Sequence, residues 1–396
     1  MEENQKDKGI DQSTNINQDS PTVPVNPPEV SAEKDPVNNS SSPKQPKVPK
    51  WLLISGLAAV LIAVGVLIFF LVDNTSNSNT VSYVTNNKPA STPPSTKANS
   101  YNTPASINPI NPAAIPLGTG KVSTTPRVGY VDFCNNKGTS VAPEPNLPWI
   151  NKTNNTWDSL TKPAVQGSVS WAGSASYSVT LSGSTRTITT NDLPINHDSG
   201  VFPISVNDPA YQYDHNPNKI TSQPTTWQLS ANPIAAATPG CTSDGPIGVL
   251  TDGVFLFNAL DADNRDAGAT EILDQWQGHP QSAGMYHHHD IPNFMLKADS
   301  AKSSSTLVGY ALDGYGIYVE RDANGNLLTN ANLDACHGRT SEVMWNGKMT
   351  DIYHYDATLE YPYTVGCFHG TPITINKTAP HGAGGNPTGN KLPPKT

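Results

Sequence analysis

Residues 51–72, WLLISGLAAVLIAVGVLIFFLV, carry no charge and lie between two polar tracts. As a helix rising about 1.5 Å per residue, this run crosses a hydrocarbon core of roughly 30 Å. Lys44, Lys47 and Lys50 precede it and Asp73 follows. Positive charge stays on the cytoplasmic side, so the N-terminus is expected inside the cell and the bulk of the chain outside. Trp51 would sit at one interface. A cleaved signal peptide would have a shorter apolar region, about 7–15 residues, with a small-residue cleavage site after it. No A-x-A follows here. The expectation is a retained signal-anchor in the cell membrane, crossing it once, with an extracellular C-terminal domain.

The flanking tracts divide the chain. Residues 1–50 are rich in Asn, Ser, Pro, Gln, Lys and Glu, with almost no large apolar side chain. Such a segment cannot bury enough surface to offset its conformational entropy, and is expected to be a disordered cytoplasmic tail. Residues 73–120 are a Ser/Thr/Asn/Pro-rich stalk. Residues 121–376 form the folded part, and 377–396 revert to a loose tail. The whole chain has a formal net charge of −9, and no basic run interrupts the folded part. That argues against a nucleic-acid partner.

Alternation and turn residues dominate residues 121–376. SVSWAGSASYSVTLSGSTRTITT (168–190) alternates and breaks at Ser-Gly, as a hairpin does. Asp252-Gly253, Asp313-Gly314 and Asn324-Gly325 each separate two apolar runs, which is the type I′ signature. One short helix is expected at 269–277. No other stretch has helical periodicity, so the class is all-β, a sandwich or barrel-like domain. The four cysteines, Cys134, Cys241, Cys336 and Cys367, all lie beyond the apolar run. In an oxidising compartment they would form two disulfides. Of the three possible pairings the expected one is Cys336–Cys367 with Cys134–Cys241. The alternative is free buried thiols.

Chemistry concentrates in two segments, AGMYHHHDIP (283–292) and DIYHYDATLEYPYTVGCF (351–368). In a strand, side chains alternate faces, so His287 shares a face with His289, and His354 with Asp356. His288 would point the other way. Laid side by side, the two segments would bring three imidazoles and a carboxylate to one point, a transition-metal set suited to zinc or copper. His279 and His197 are further candidate ligands, and Tyr286, Tyr353 and Tyr355 would surround the site. Asp313 is a candidate general base and Arg339 a candidate anion holder. The acidic turn 261–271 fails the calcium-loop spacing and reads as a solvated loop. No G-x-S-x-G and no phosphate-cradling loop is present. Whether a metal here would catalyse hydrolysis or redox chemistry stays open. So does a module for a surface glycan or protein, with Tyr361-Pro362-Tyr363 as its contact face.

Seven ordered blocks resemble the YHYH-domain family. They are TNDLPINHDSGVFP (190–203), NPNKITSQPTTWQLSANP (216–233), IGVLTDGVFLFNALDA (247–262), GHPQSAGMYHHH (278–289), LVGYALDGYGIY (307–318), LDACHGRTS (333–341) and YHYDATLEYPYTVGCFHGTP (353–372). The resemblance, over 187–372, implies a secreted or surface-attached bacterial protein and no particular reaction. It singles out His197, His279, His287, His289, His354, Asp313, Asp334, Arg339, Cys336 and Cys367. Two departures stand out. The first signature reads YHHH, and the second reads YHYD, with a carboxylate in the second-histidine place. His337 and His369 fall where other polar or basic residues are expected, and are discounted as ligands.

Overall fold

The structure is a computed structural model that describes residues 108–135, 141–297 and 300–375. The expected tail, membrane span, most of the stalk and the C-terminal tail lie outside the described residues. Among the described residues no helix is long and apolar enough to cross a membrane.

Strands dominate, as the alternation requires. The centre is an eight-stranded mixed sheet built from β1 (Pro246–Leu250), β2 (Phe255–Phe257), β3 (Gly278–Pro280), β4 (Tyr286–His288), β5 (Ser305–Ala311), β6 (Gly316–Glu320), β7 (Gly338–Trp345) and β8 (Lys348–Asp356). Their order across the sheet is β3-β4-β2-β1-β5-β6-β8-β7. The sheet is open rather than a closed barrel, since β3 and β7 are its two edges. β2 runs parallel to β4, β6 runs parallel to β8, and the remaining neighbours are antiparallel. The order is a palindrome in which β1–β4 on one side answer β5–β8 on the other.

A three-stranded antiparallel sheet, Tyr177–Ser182, Thr185–Thr190 and Thr225–Ser230, packs on the central one. Its first two strands are the hairpin expected at Ser182-Gly183. Ile188, Trp227 and Leu229 from this sheet share one core with Val249, Leu250, Ile317, Val343 and Trp345. Arg186 is buried in the same layer. Its guanidinium lies 4.4 Å from the Tyr310 ring and 4.1 Å from the Trp345 ring, and donates to the Ser230 and Gly314 carbonyls and to Asn346 Oδ1. A second core gathers Ile115, Leu117, Val131, Phe133, Trp149 and Trp157 with Leu260, Ile272, Tyr361 and Tyr363. The chain therefore joins the fold before residue 121, with Ile115 and Leu117 already buried.

Three details differ from expectation. The Asp252-Gly253, Asp313-Gly314 and Asn324-Gly325 turns are not type I′. Only the glycine enters the left-handed region, at φ 91°, 93° and 90°. Each glycine N–H donates to the carbonyl three residues back, at Leu250, Ala311 and Asp322. This is the longer hairpin loop that ends in a left-handed glycine. Two-residue geometry occurs instead at Asn346-Gly347, φ 50° and 79°, between β7 and β8. The helix expected at 269–277 shrinks to α1, Ala267–Thr270. Beyond it, the Asp274 carboxylate takes the Trp276 and Gly278 N–H groups and folds the chain back into β3. Lastly, Tyr361 and Tyr363 are buried, so they form no surface contact face.

Both expected disulfides are present, Cys134–Cys241 and Cys336–Cys367. Beside the second, His337 is 1 % exposed and contacts Asn330 Oδ1 and Thr358 Oγ1, each at 3.1 Å. Burial pushes its pKa from 6.5 down to about 3. The unfolded chain takes up the proton near pH 6.5 and the folded chain does not. This residue's contribution is therefore complete above that pH and is lost as pH falls towards 3. Lowering the pH from 7.5 to 5 is expected to cost ~2 kcal/mol through His337 alone. His337→Asn, a residue that tolerates the φ of 69° found here, should flatten the pH dependence of urea unfolding. An unchanged slope would refute this assignment.

Candidate metal centre

β3 and β4 are paired so that His279 faces His287. His289 follows β4 and, by alternation, turns to the same side as His287. The rings of His279 and His287 are 4.5 Å apart, and those of His287 and His289 4.9 Å. Phe257 of β2 stacks on His287 at 3.9 Å and floors the site.

The hydrogen bonds decide which ring nitrogens are free. His287 Nδ1 lies 3.2 Å from the Met285 carbonyl, and His289 Nδ1 lies 2.6 Å from the Asn258 carbonyl. A carbonyl oxygen only accepts, so each Nδ1 carries the proton and each neutral ring keeps a lone pair on Nε2. Those two Nε2 atoms are 3.1 Å apart. Two lone pairs so close would repel; a proton on His289 Nε2, favoured by Glu271 beside it, or a metal cation between them relieves that. Two nitrogens of a tetrahedral zinc site, each about 2.05 Å from the ion, would be roughly 3.3 Å apart. Glu271 Oε2 closes the set, 3.1 Å from both His279 Nε2 and His289 Nε2. Neither Glu271 Oε2 nor His279 Nε2 is aligned in a hydrogen bond despite that closeness.

The charges respond to one another. Burial, reinforced by the His279 and His289 charges, holds the His287 pKa well below its ordinary value. Burial pushes Glu271 up, but His279 and His289 outweigh it and hold the carboxyl well below the usual range. Burial lowers His289, but Glu271 outweighs that and raises it. The Glu271 side chain is 23 % exposed, while its Oε2 and the facing His279 Nε2 are buried.

His288 faces the opposite way, as expected. It meets Asp252 Oδ2 at 3.3 Å, and His197 Nε2 meets the same oxygen at 3.2 Å. His197 therefore lies in a separate group, stacked on Trp276 at 5.7 Å. A third group joins Glu320, His354 and Asp356. His354 Nε2 is 3.4 Å from Glu320 Oε2 and 4.0 Å from Asp356 Oδ2, and Arg339 Nε is 2.7 Å from Glu320 Oε2.

The expected single set of His287, His289, His354 and Asp356 is thus divided in two. β4 and β8 are separated by β2, β1, β5 and β6. Five strand spacings of roughly 4.8 Å put them about 24 Å apart. Each signature strand instead pairs in parallel with the second strand of its own half. Tyr286 donates to Asp274 and Tyr353 to Asp334, so both phenols are structural ties. Asp313 is also engaged, accepting from the Tyr355 hydroxyl at 2.5 Å, Gly370 N at 2.9 Å and Tyr315 N at 3.3 Å. Glu271, Asp252 and Glu320 are not expected from the sequence as site residues, and the turn 261–271 is no solvated loop, since Asp261 and Asp266 are buried and Glu271 joins the histidines. Glu271 comes from an irregular stretch between α1 and β3, where no periodicity marks it.

Residues 226–327 match the family model described as YHYH protein. This stretch is a YHYH domain. The match covers β1 to β6 and all of His279, His287 and His289, while the YHYD strand lies beyond it. No curated protein and no solved structure matches the chain.

Proposed function

We propose that the YHYH domain binds one transition-metal ion, zinc or copper, through His279, His287 and His289 with Glu271 as fourth ligand. We place the domain on the extracellular side of the cell membrane, anchored by residues 51–72 with the N-terminus in the cytoplasm. One observation carries the metal reading: the ligand nitrogens of His279, His287 and His289 lie within 4.8 Å of one another, with His287 Nδ1 and His289 Nδ1 each against a backbone carbonyl, so that both Nε2 atoms face the centre. Metal-binding histidines are oriented in this way, the second nitrogen donating to a fixed acceptor. Three imidazoles and a carboxylate make a closed four-coordinate set. Release of Glu271 would open one position on the solvent side, which hydrolytic or redox chemistry would require.

The test is elemental analysis by mass spectrometry of the full chain, purified without a His-tag, beside His287→Ala/His289→Ala. The expected result is close to one zinc or copper per parent chain and none above background in the variant. A folded parent that stays metal-free after dialysis against zinc and copper would end this reading and leave a hydrogen-bonded histidine network.

A further inference from the structure

The palindromic strand order has residue-level content. Val249 of β1 pairs with Tyr310 of β5, and the flanking pairs are Gly248 with Ala311 and Leu250 with Gly309. Shifting any residue of β1 by 61 positions gives its counterpart in β5, and these pairs then map onto one another. This is the signature of a local two-fold axis between Val249 and Tyr310. The same shift superposes Asp252-Gly253 on Asp313-Gly314 and Leu256 on Ile317. It also carries the isolated bridge Leu260–Asp266 onto Arg321–Leu327. Gly248 and Gly309 are equivalent too. A side chain on either would run into backbone across the axis, Tyr310 O at 2.6 Å and Val249 O at 2.8 Å.

The correspondence continues through both signatures. Gly278, His279 and Pro280 pair with His288, His287 and Tyr286, while Gly338, Arg339 and Thr340 pair with Tyr355, His354 and Tyr353. Leu256 lies beside His288, and Ile317 lies beside Tyr355. The Tyr286–Asp274 tie is repeated by Tyr353–Asp334, and the contact of His288 with Asp252 is repeated by Tyr355 with Asp313. His287 therefore corresponds to His354, His289 to Asp356, and His279 to Arg339.

We infer that the Arg339/Glu320/His354/Asp356 cluster is the two-fold copy of the His279/His287/His289 site, kept free of metal by the Arg339 guanidinium, so that the chain binds one ion and not two. This rests on the metal reading of the first site. Two of its three imidazoles are exchanged in the second copy, one for a permanent cation and one for a carboxylate. A guanidinium supplies five donors and no lone pair, and it does not deprotonate. It lies 2.7 Å from Glu320, so the position facing His354 already holds a positive charge. A second cation there would meet direct repulsion. The Asp252/His288 group is sorted by the same symmetry. Its copy uses a tyrosine, Tyr355, whose hydroxyl donates to Asp313 and ties the Asp-Gly turn to the signature strand, while in the first half the Asp-Gly turn is held by the His197–Asp252 contact.

The experiment restores the lost imidazoles. The untagged full chain and Arg339→His/Asp356→His are loaded with cobalt(II), dialysed, and compared by bound metal and by visible absorption. One ion per parent chain and two per variant chain are expected, with the cobalt absorption roughly doubled. Adding His287→Ala to the variant should return the count to one. Should the double variant fail to form both disulfides, Arg339→His alone leaves two imidazoles with Glu320 and Asp356, and should also gain an ion. A folded variant that still binds one ion, or a parent that binds two, overturns this inference while leaving the first site standing. A parent that binds none overturns the metal reading and this inference with it.

Discussion

Stripping the ion with a chelator at pH 7.5 is expected to lower the thermal unfolding midpoint by about 10 °C. A ligand present at a thousand times its dissociation constant adds ~4 kcal/mol to the folded state. For a domain of this size each kcal/mol moves the midpoint by about 2–4 °C. The apo protein should also become acid-sensitive. The His287 pKa is held well below 6.5, by burial first and then by the His279 and His289 charges. The unfolded chain therefore binds the proton more readily. Stability from this residue is complete above pH 6.5 and declines as the pH falls below it. In the loaded protein, protons compete with the ion for the same Nε2 lone pairs, so affinity also falls with pH. The gap between loaded and stripped midpoints should thus narrow from pH 7.5 towards pH 5. Differential scanning calorimetry with and without chelator reads both effects. A midpoint indifferent to the chelator at pH 7.5 would leave the histidines as a structural network.

Much of this site was legible because strand alternation is a strong rule. It puts His287 and His289 on one face and His288 on the other from sequence alone. The hairpin at Ser182-Gly183 was legible because short-range turn chemistry constrains it; an oxidising compartment implies two disulfides but leaves three pairings, and the one found is the one expected. Strand neighbours are another matter. Periodicity says which face a residue uses, never which strand lies alongside, so the two signature segments were expected to be adjacent. The fold instead makes β2 the parallel neighbour of β4, and β6 that of β8, one pair in each half. Turn type is ambiguous in the sequence for a related reason. Asp-Gly and Asn-Gly suit type I′ turns, but they also fit the longer loop in which only glycine needs a positive φ.

The repeat explains what sequence inspection leaves scattered. Asp252 and Asp313 precede equivalent glycines, and Asp274 and Asp334 accept from equivalent tyrosines. Between these fixed points identity has drifted, and β7 and β8 are longer strands, 8 and 9 residues, than β3 and β4, 3 residues each. Only paired registers make the correspondence visible. Glu271 shows the limit of the symmetry. Its counterpart in the second cluster, Glu320, comes from the end of β6, so the two carboxylates reach their clusters from different elements.

Removing the Cys134–Cys241 bridge is expected to cost about 4.8 kcal/mol, the largest single stability effect among these residues. The bridge spans a sequence separation of 107, against 31 for Cys336–Cys367. Loop-closure entropy grows with the logarithm of that separation, giving roughly 3.7 kcal/mol for the shorter loop. The long loop holds the segment 108–135 against the rest of the domain. Val131 and Phe133 of that segment pack in the core with Leu260 and Ile272, and Phe133 bridges Thr242 one residue beyond Cys241. Cys134 is exposed, whereas Cys336 and Cys367 are buried. A mild reductant should therefore open the long loop first. Urea unfolding of Cys134→Ala/Cys241→Ala measures the loss, and a change below ~1 kcal/mol would mean that packing alone secures the segment. The same bridge links stability to location. A domain that depends on an exposed disulfide needs an oxidising compartment, and folding it in reducing cytosol should reproduce the loss seen in the double-alanine variant.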